Sequence, residues 1–120
     1  MESGNEKALE VGPLERVFRG SAMAKILDFL TTFKEWDYSK SDIAKNSGVN
    51  FRTVLRILPR LEELGVVKQT RNVGRATMYQ LNMENTVAKL FHDLAMEIAV
   101  IDAHKIAEEE IAEEKIEVPA

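Results

Sequence analysis

The chain has 120 residues, 45% apolar and 30% charged, with a formal net charge of −4 and no cysteine. Such a chain is one domain, or one domain with an extension; it is too apolar for disorder and holds no disulfide, thiolate metal site or cysteine nucleophile. No apolar run reaches the roughly 18 residues of a membrane span, and MESGNEKALE has no signal-like apolar stretch, so a cytoplasmic protein is expected.

Residues 1–12 read as a flexible segment. GPLERVF (12–18) reads as a short helix with Pro13 in its first turn, where a missing N–H costs nothing. Ser21 is placed to cap a second helix, Ala22 to about Phe33, whose Met23, Ile26, Leu27 and Leu30 recur at helical spacing. KEWDYS breaks that period. Ser41 is the expected cap of a short helix, Asp42–Asn46, followed by a turn at Gly48. Asn50 caps the next helix, Phe51–Leu64, and Gly65 stops it. Its expected core face is Val54, Leu58, Leu61 and Leu64, so Arg52, Thr53, Arg56 and Arg60 fall away from the core. Pro59, inside this helix, removes one backbone donor past the arginines.

After Gly65 the apolar period changes to two. VVKQT and ATMYQL read as strands of a hairpin, joined by RNVGR with Arg71 and Arg75 at a basic tip. From Thr86 to about Glu114 a single helix is expected, capped by Asn85, or alternatively by Asn82. Val87, Phe91, Leu94, Ile98 and Ile101 alternate spacings of four and three, a heptad seam about two heptads long. Part of it is expected to pack on the helix 22–33 and the rest on a second copy of the chain. The fold class is mainly α with a small β-hairpin: residues 13–82 form one unit, 83–114 a dimerisation helix and 115–120 a tail.

Charge is unevenly divided along this order. Residues 1–13 carry −2, residues 14–82 carry +5 and residues 83–120 carry −7. A basic middle between acidic ends is a reason to consider a polyanion partner.

The run SDIAKNSGVNFRTVLRILPRLEELGVVKQTRNVGRATMYQLN resembles archaeal and bacterial winged helix-turn-helix transcription regulators of the MarR/ArsR-like kind. RTVLRILPRLEELGVV is similar to their recognition helix and its exit, and VGRATMYQLN to their wing and last strand. The likeness covers roughly residues 13–100. Where Pro59 stands, the broad pattern often has Lys or Arg; an archaeal-like subgroup with LPRLEELG is nearer. These motifs specify the fold well and the target poorly.

The resemblance implies a homodimer that binds double-stranded DNA, with no cofactor and no catalytic residues. Major-groove reading needs long polar side chains near the start of the inserted helix. Arg52 and Arg56, four apart, suit a guanine edge or a phosphate; Asn50 and Thr53 suit either. Leu55 on the flank suits a thymine methyl. Arg60 suits the backbone, Lys40 and Ser41 a phosphate clamp, and Arg71 and Arg75 the backbone or minor groove. The competing reading is a winged helix that serves as a protein-interaction module without touching DNA, since fold does not fix function.

Other constellations are thinner. Asp102 and His104 resemble half of the helix metal site of winged-helix metal sensors, but the second half is lacking, so no metal is expected. His92 and His104 read as surface or interface residues. Phe18, Phe29, Phe33, Trp36 and Tyr38 read as core and turn anchors. No phosphate loop or nucleophile triad is legible, and an enzyme is not expected. The sequence names no operator and no small-molecule effector.

Overall fold

Pro13 opens the first helix, α1 (Pro13–Val17), as its N-terminal preference dictates. The structure, a computed structural model, describes residues 11–117; the expected flexible segment lies outside it up to residue 10, and the expected tail from residue 118. After α1 come α2 (Ala22–Thr32), α3 (Lys40–Ser47), α4 (Phe51–Glu63), the antiparallel pair β1 (Val67–Val73) and β2 (Ala76–Leu81), and α5 (Thr86–Glu117). The mainly helical class with one hairpin and a long last helix is the class read from the sequence.

Local chemistry sets the boundaries. Ser21 Oγ accepts from Ala24 N at 3.1 Å and starts α2. Asn50 Oδ1 accepts from Arg52 N at 2.8 Å and starts α4, and Asn85 Oδ1 accepts from Ala88 N at 2.9 Å and starts α5. The third helix differs from expectation. Its cap is Ser39, not Ser41, and the helix runs 40–47. Ser39 Oγ accepts from Asp42 N while the Asp42 carboxylate accepts from Ser39 N, a reciprocal capping box in the S-x-x-D pattern. Lys40 and Ser41 therefore sit in the first turn rather than ahead of it.

Leu14, Ile26, Leu30, Ile43, Val54, Leu58, Leu61, Val66 and Leu81 are fully buried together, each contributing about 1.5–3 kcal/mol by leaving water. On α4 the core face is Val54, Ile57, Leu58 and Leu61; Leu64, expected to complete it, is exposed just past the helix end. Ile57 takes its place because the apolar stripe follows the 3.6 period back toward the helix start. Of the expected aromatic anchors, Phe29 is buried and Tyr38 packs against it, whereas Phe18, Phe33 and Trp36 are exposed.

Three contacts fix the helices relative to one another. Asp28, buried on α2, accepts from Leu14 N and Glu15 N at 2.8 and 2.9 Å and so caps α1 from outside. Gly12 permits this approach, because a Cβ there would overlap the Asp28 side chain. Asn82 and Asn85 donate to the Gly65 and Leu64 carbonyls, tying the start of α5 to the end of α4. Arg16 of α1 pairs with Asp102 of α5. Beyond these contacts α5 projects: the molecule measures 65 × 27 × 24 Å with a radius of gyration of 17.3 Å, against about 14 Å for a compact domain of this length. No described helix is long and apolar enough to cross a membrane.

Candidate nucleic-acid interface

Burial of Val54, Ile57, Leu58 and Leu61 turns the opposite side of α4 outward. Arg52, Arg56, Pro59 and Glu63 stand on that side at helical spacing, with Arg60 and Thr53 on one flank and Phe51 and Leu55 on the other. Pro59 therefore sits on the solvent face, one turn past Arg56, and takes no part in the core.

Among the described residues the ion pairs are Arg16–Asp102, Lys25–Glu15 and Arg71–Asp37, and His92 Nδ1 lies 3.2 Å from Asp93 Oδ1. Arg52, Arg56, Arg60 and Arg75 belong to none of them. Of the two acidic side chains of α4, Glu62 accepts from Gln69 Nε2 of the hairpin at 2.8 Å, and Glu63, on the outward side, belongs to none of these pairs either. The outward guanidiniums of α4 thus carry charge that the described chain does not neutralise.

The turn into α4 is built for rigidity. Gly48 ends α3 at φ +71°, a conformation that costs a side-chain-bearing residue, and Val49 tucks beneath the turn. Two residues later Asn50 caps α4. The first turns of α3 and α4 are thereby held side by side, and the hairpin closes over them. Lys40, Ser41, Phe51, Arg75 and Thr77 line one open recess of about 260 Å³. Lys40 also lies 5.8 Å from the centre of the Tyr79 ring, a cation–π distance that steers its ammonium along the hairpin.

The hairpin departs from the expected geometry. Its strands extend to Val73 and Ala76, so Gly74 and Arg75 alone form the tip and Arg71 lies inside β1. The register shifts by one between Gln69 and Asn72, leaving Thr70 and Arg71 opposite Met78. This bulge lets consecutive residues reach the same carboxylate. Thr70 Oγ1 donates to Asp37 at 2.6 Å, and Arg71 donates through Nε and a terminal nitrogen at 2.9 and 3.1 Å. The Arg71 guanidinium, helped by Thr70, holds the Asp37 carboxyl down at about 2. Tyr38, the next residue, exchanges two backbone hydrogen bonds with Tyr79 at 2.8 Å, anchoring β2 to the segment before α3. Arg71, expected at a basic tip beside Arg75, therefore lies within β1 and ties the hairpin to Asp37.

The α5 residues expected to pair divide into two groups. Phe91 and Ile98 are half-buried, while Val87, Leu94 and Ile101 are exposed, joined by Leu90. The face turned to the chain's own α1 and α2 includes Ala88 and Ala95. Among the described residues no group of three His, Asp or Glu side chains could hold a metal, and Asp102 is engaged by Arg16.

No family model matches the sequence. No curated protein matches it either. Solved structures do. MepR, a transcription regulator of the Staphylococcus aureus multidrug efflux pump MepA, is 19% identical over 93% of this chain and 82% of its own, with a TM-score of 0.61. NadR in complex with 4-hydroxyphenylacetate is 23% identical over 87% and 72%, with a TM-score of 0.58. Wild-type Lactococcus lactis ZitR in complex with DNA is 16% identical over 77% and 68%, with a TM-score of 0.51. The fold is that of the winged helix-turn-helix transcription regulators. In its terms α3 and α4 are the helix-turn-helix, β1 and β2 the wing. Sequence reading anticipated the outward placement of Arg52, Arg56 and Arg75 but passed over Phe51 in the recess and Asp37 beneath Arg71. The signal for Phe51 was an aromatic at the first helical position, off the core stripe; nothing local pointed to Asp37.

Proposed function

We propose that the chain is a sequence-specific, double-stranded DNA-binding transcription regulator that acts as a homodimer. The observation that carries this reading is the outward, unpaired Arg52 and Arg56 on the capped first half of α4, beside the recess shared by Lys40, Ser41 and Arg75. A helix start carrying long planar cations fits the major groove, where a guanine edge takes a bidentate guanidinium. Asn50 and Thr53 stand close enough to the same end to touch a base or a phosphate. Arg60, further along, meets the backbone. Lys40, Ser41 and Arg75 hold phosphates and set the register; the wing follows the backbone or the adjacent minor groove. Arg71 acts through Asp37, by fixing the wing. The acidic side chains Glu108, Glu110, Glu113 and Glu114 lie on the distal part of α5, where like charge disfavours DNA and orients the molecule. Likeness to ZitR, solved with DNA, supports the reading.

Two copies meet through the exposed stripe Val87, Leu90, Leu94 and Ile101 around a two-fold axis. A helix of 32 residues spans about 48 Å, longer than one winged-helix unit can cover. Preferred sites are then near-palindromes with half-sites about one helical turn, or a multiple, apart.

Selection of bound duplexes from a random pool tests the proposal. On a selected site, Arg52→Ala or Arg56→Ala lowers the ratio of specific to random affinity by about 5- to 150-fold, the value of one bidentate base contact. Arg75→Ala weakens both alike and reduces the slope of log affinity against log salt by about one. An unchanged ratio in both helix variants would put the protein-interaction reading ahead.

A further inference from the structure

The outer surface of α4 is only half basic. Phe51 and Leu55, one turn apart on the same flank, are 44% and 42% exposed. Single exposed apolar residues are ordinary on any surface. This pair differs in its setting. Each is followed in sequence by an outward arginine, Arg52 and Arg56, and Phe51 lines the recess that also holds Lys40, Ser41 and Arg75. A protein partner with an apolar groove would have to bury those cations to reach the pair, which is costly without matched carboxylates. The major groove meets both demands together. Phosphates form its rim, and the C5-methyl of thymine stands at its outer edge, close to the backbone of its own strand.

Resting on the DNA-binding reading, we infer that Phe51 and Leu55 form an apolar clamp for a thymine C5-methyl. The clamped base adjoins the phosphate seated by Lys40, Ser41 and Arg75, and each half-site therefore prefers T at that position.

The full chain and duplexes recovered by selection supply the test. Each thymine is replaced singly by deoxyuridine, which removes the methyl and leaves every hydrogen-bonding group in place. At one position per half-site the exchange weakens binding about fourfold, the value of one buried methyl; elsewhere it changes nothing. Phe51→Ala and Leu55→Ala bind the thymine and uracil duplexes alike. Phe51→Leu, which keeps an apolar contact, retains the difference. Arg75→Ala weakens both duplexes and preserves their ratio, closing the cycle. If the wild-type chain binds thymine and uracil duplexes equally at every position, the clamp is wrong while DNA binding stands. If it binds no duplex at all, both readings fall.

Discussion

In the winged-helix unit most large apolar side chains of α1 to α4 and of the hairpin turn inward, with Val17, Phe51, Leu55 and Val73 as exposed exceptions, whereas among the described residues of α5 the fully buried ones are Ala88 and Ala95, Phe91 and Ile98 are half-buried, and Leu90, Leu94 and Ile101 turn out. A helix that merely completes its own domain places its largest groups on the domain core. In α5 small residues let the backbone come close to α1 and α2, and the stripe beside them stays uncovered at 63%, 40% and 63% exposure. The first region is largely closed by its own chain. The second leaves an apolar stripe open, which the proposed dimer would cover.

The sharpest way to break this comparison is to charge the outer stripe. Leu90→Asp with Leu94→Asp leaves the winged-helix core untouched and removes the proposed apolar contact between copies. The variant is expected to sediment as a monomer where the wild type sediments as a dimer. Losing the second half-site reduces operator affinity by about 10²- to 10⁴-fold. A wild-type chain that remains monomeric at tens of micromolar would show that the stripe serves something else.

A second substitution probes the finished side of the comparison. Asp28→Ala leaves the Leu14 and Glu15 N–H groups without their acceptor, and loss of those bonds costs about 2 kcal/mol, read as a lower unfolding midpoint in urea. Gly12→Ala acts in the same direction by crowding the Asp28 side chain. The pH dependence has a definite sign. Burial pushes the Asp28 carboxyl above its usual 3.8 despite the Glu15 and Leu14 N–H bonds. Its contribution is full below 3.8 and declines as pH rises through the raised value, a slope that Asp28→Ala lacks.

What was legible in the sequence follows the range of the interactions. Caps at Ser21, Asn50 and Asn85, the turn at Gly48 and the outward arginines of α4 depend on residues within four positions, and reading them needed only period and propensity. Ser39 was legible too, since Asp42 three residues on completes a capping box, but Ser41 offers the same chemistry to a shorter helix. Choosing between them takes the Tyr38–Tyr79 pairing, which fixes where the extended segment ends. On α5 the sequence shows a seam to be shared between the chain's own helices and a second copy, but not the share of each: Phe91 and Ile98 are half-buried, Val87, Leu94 and Ile101 are exposed with Leu90 beside them, because the period reveals a stripe but not which neighbour takes each edge. Arg71 was misplaced for the most distant reason. Its partner lies 34 residues earlier, and the bulge that aims it is a property of the paired strands.

That pair yields the smallest and most local prediction. Arg71 is exposed and Asp37 half-buried, so water reaches the bridge, which orients the wing and adds little to global stability. Asp37→Asn keeps the shape of the side chain and removes its charge, leaving the wing attached through the Tyr38–Tyr79 bonds. Its thermal midpoint is expected to stay near that of the wild type, while amides of β1 and β2 near the bulge exchange faster with solvent. Acid gives an independent route to the same state. With its carboxyl held at about 2, below the ordinary 3.8, Asp37 gives its full contribution above about 3.8 and loses it as pH falls through about 2. Over that window wild-type hairpin exchange, corrected for the intrinsic pH dependence, should rise to the Asp37→Asn level, and the variant should hold constant. Asp28 titrates with the opposite sign and acts on α1, so the two carboxyls are separable by where protection changes. Equal hairpin protection in both proteins across the window would mean that the Tyr38–Tyr79 pairing alone fixes the wing and that Arg71 is available to DNA after all.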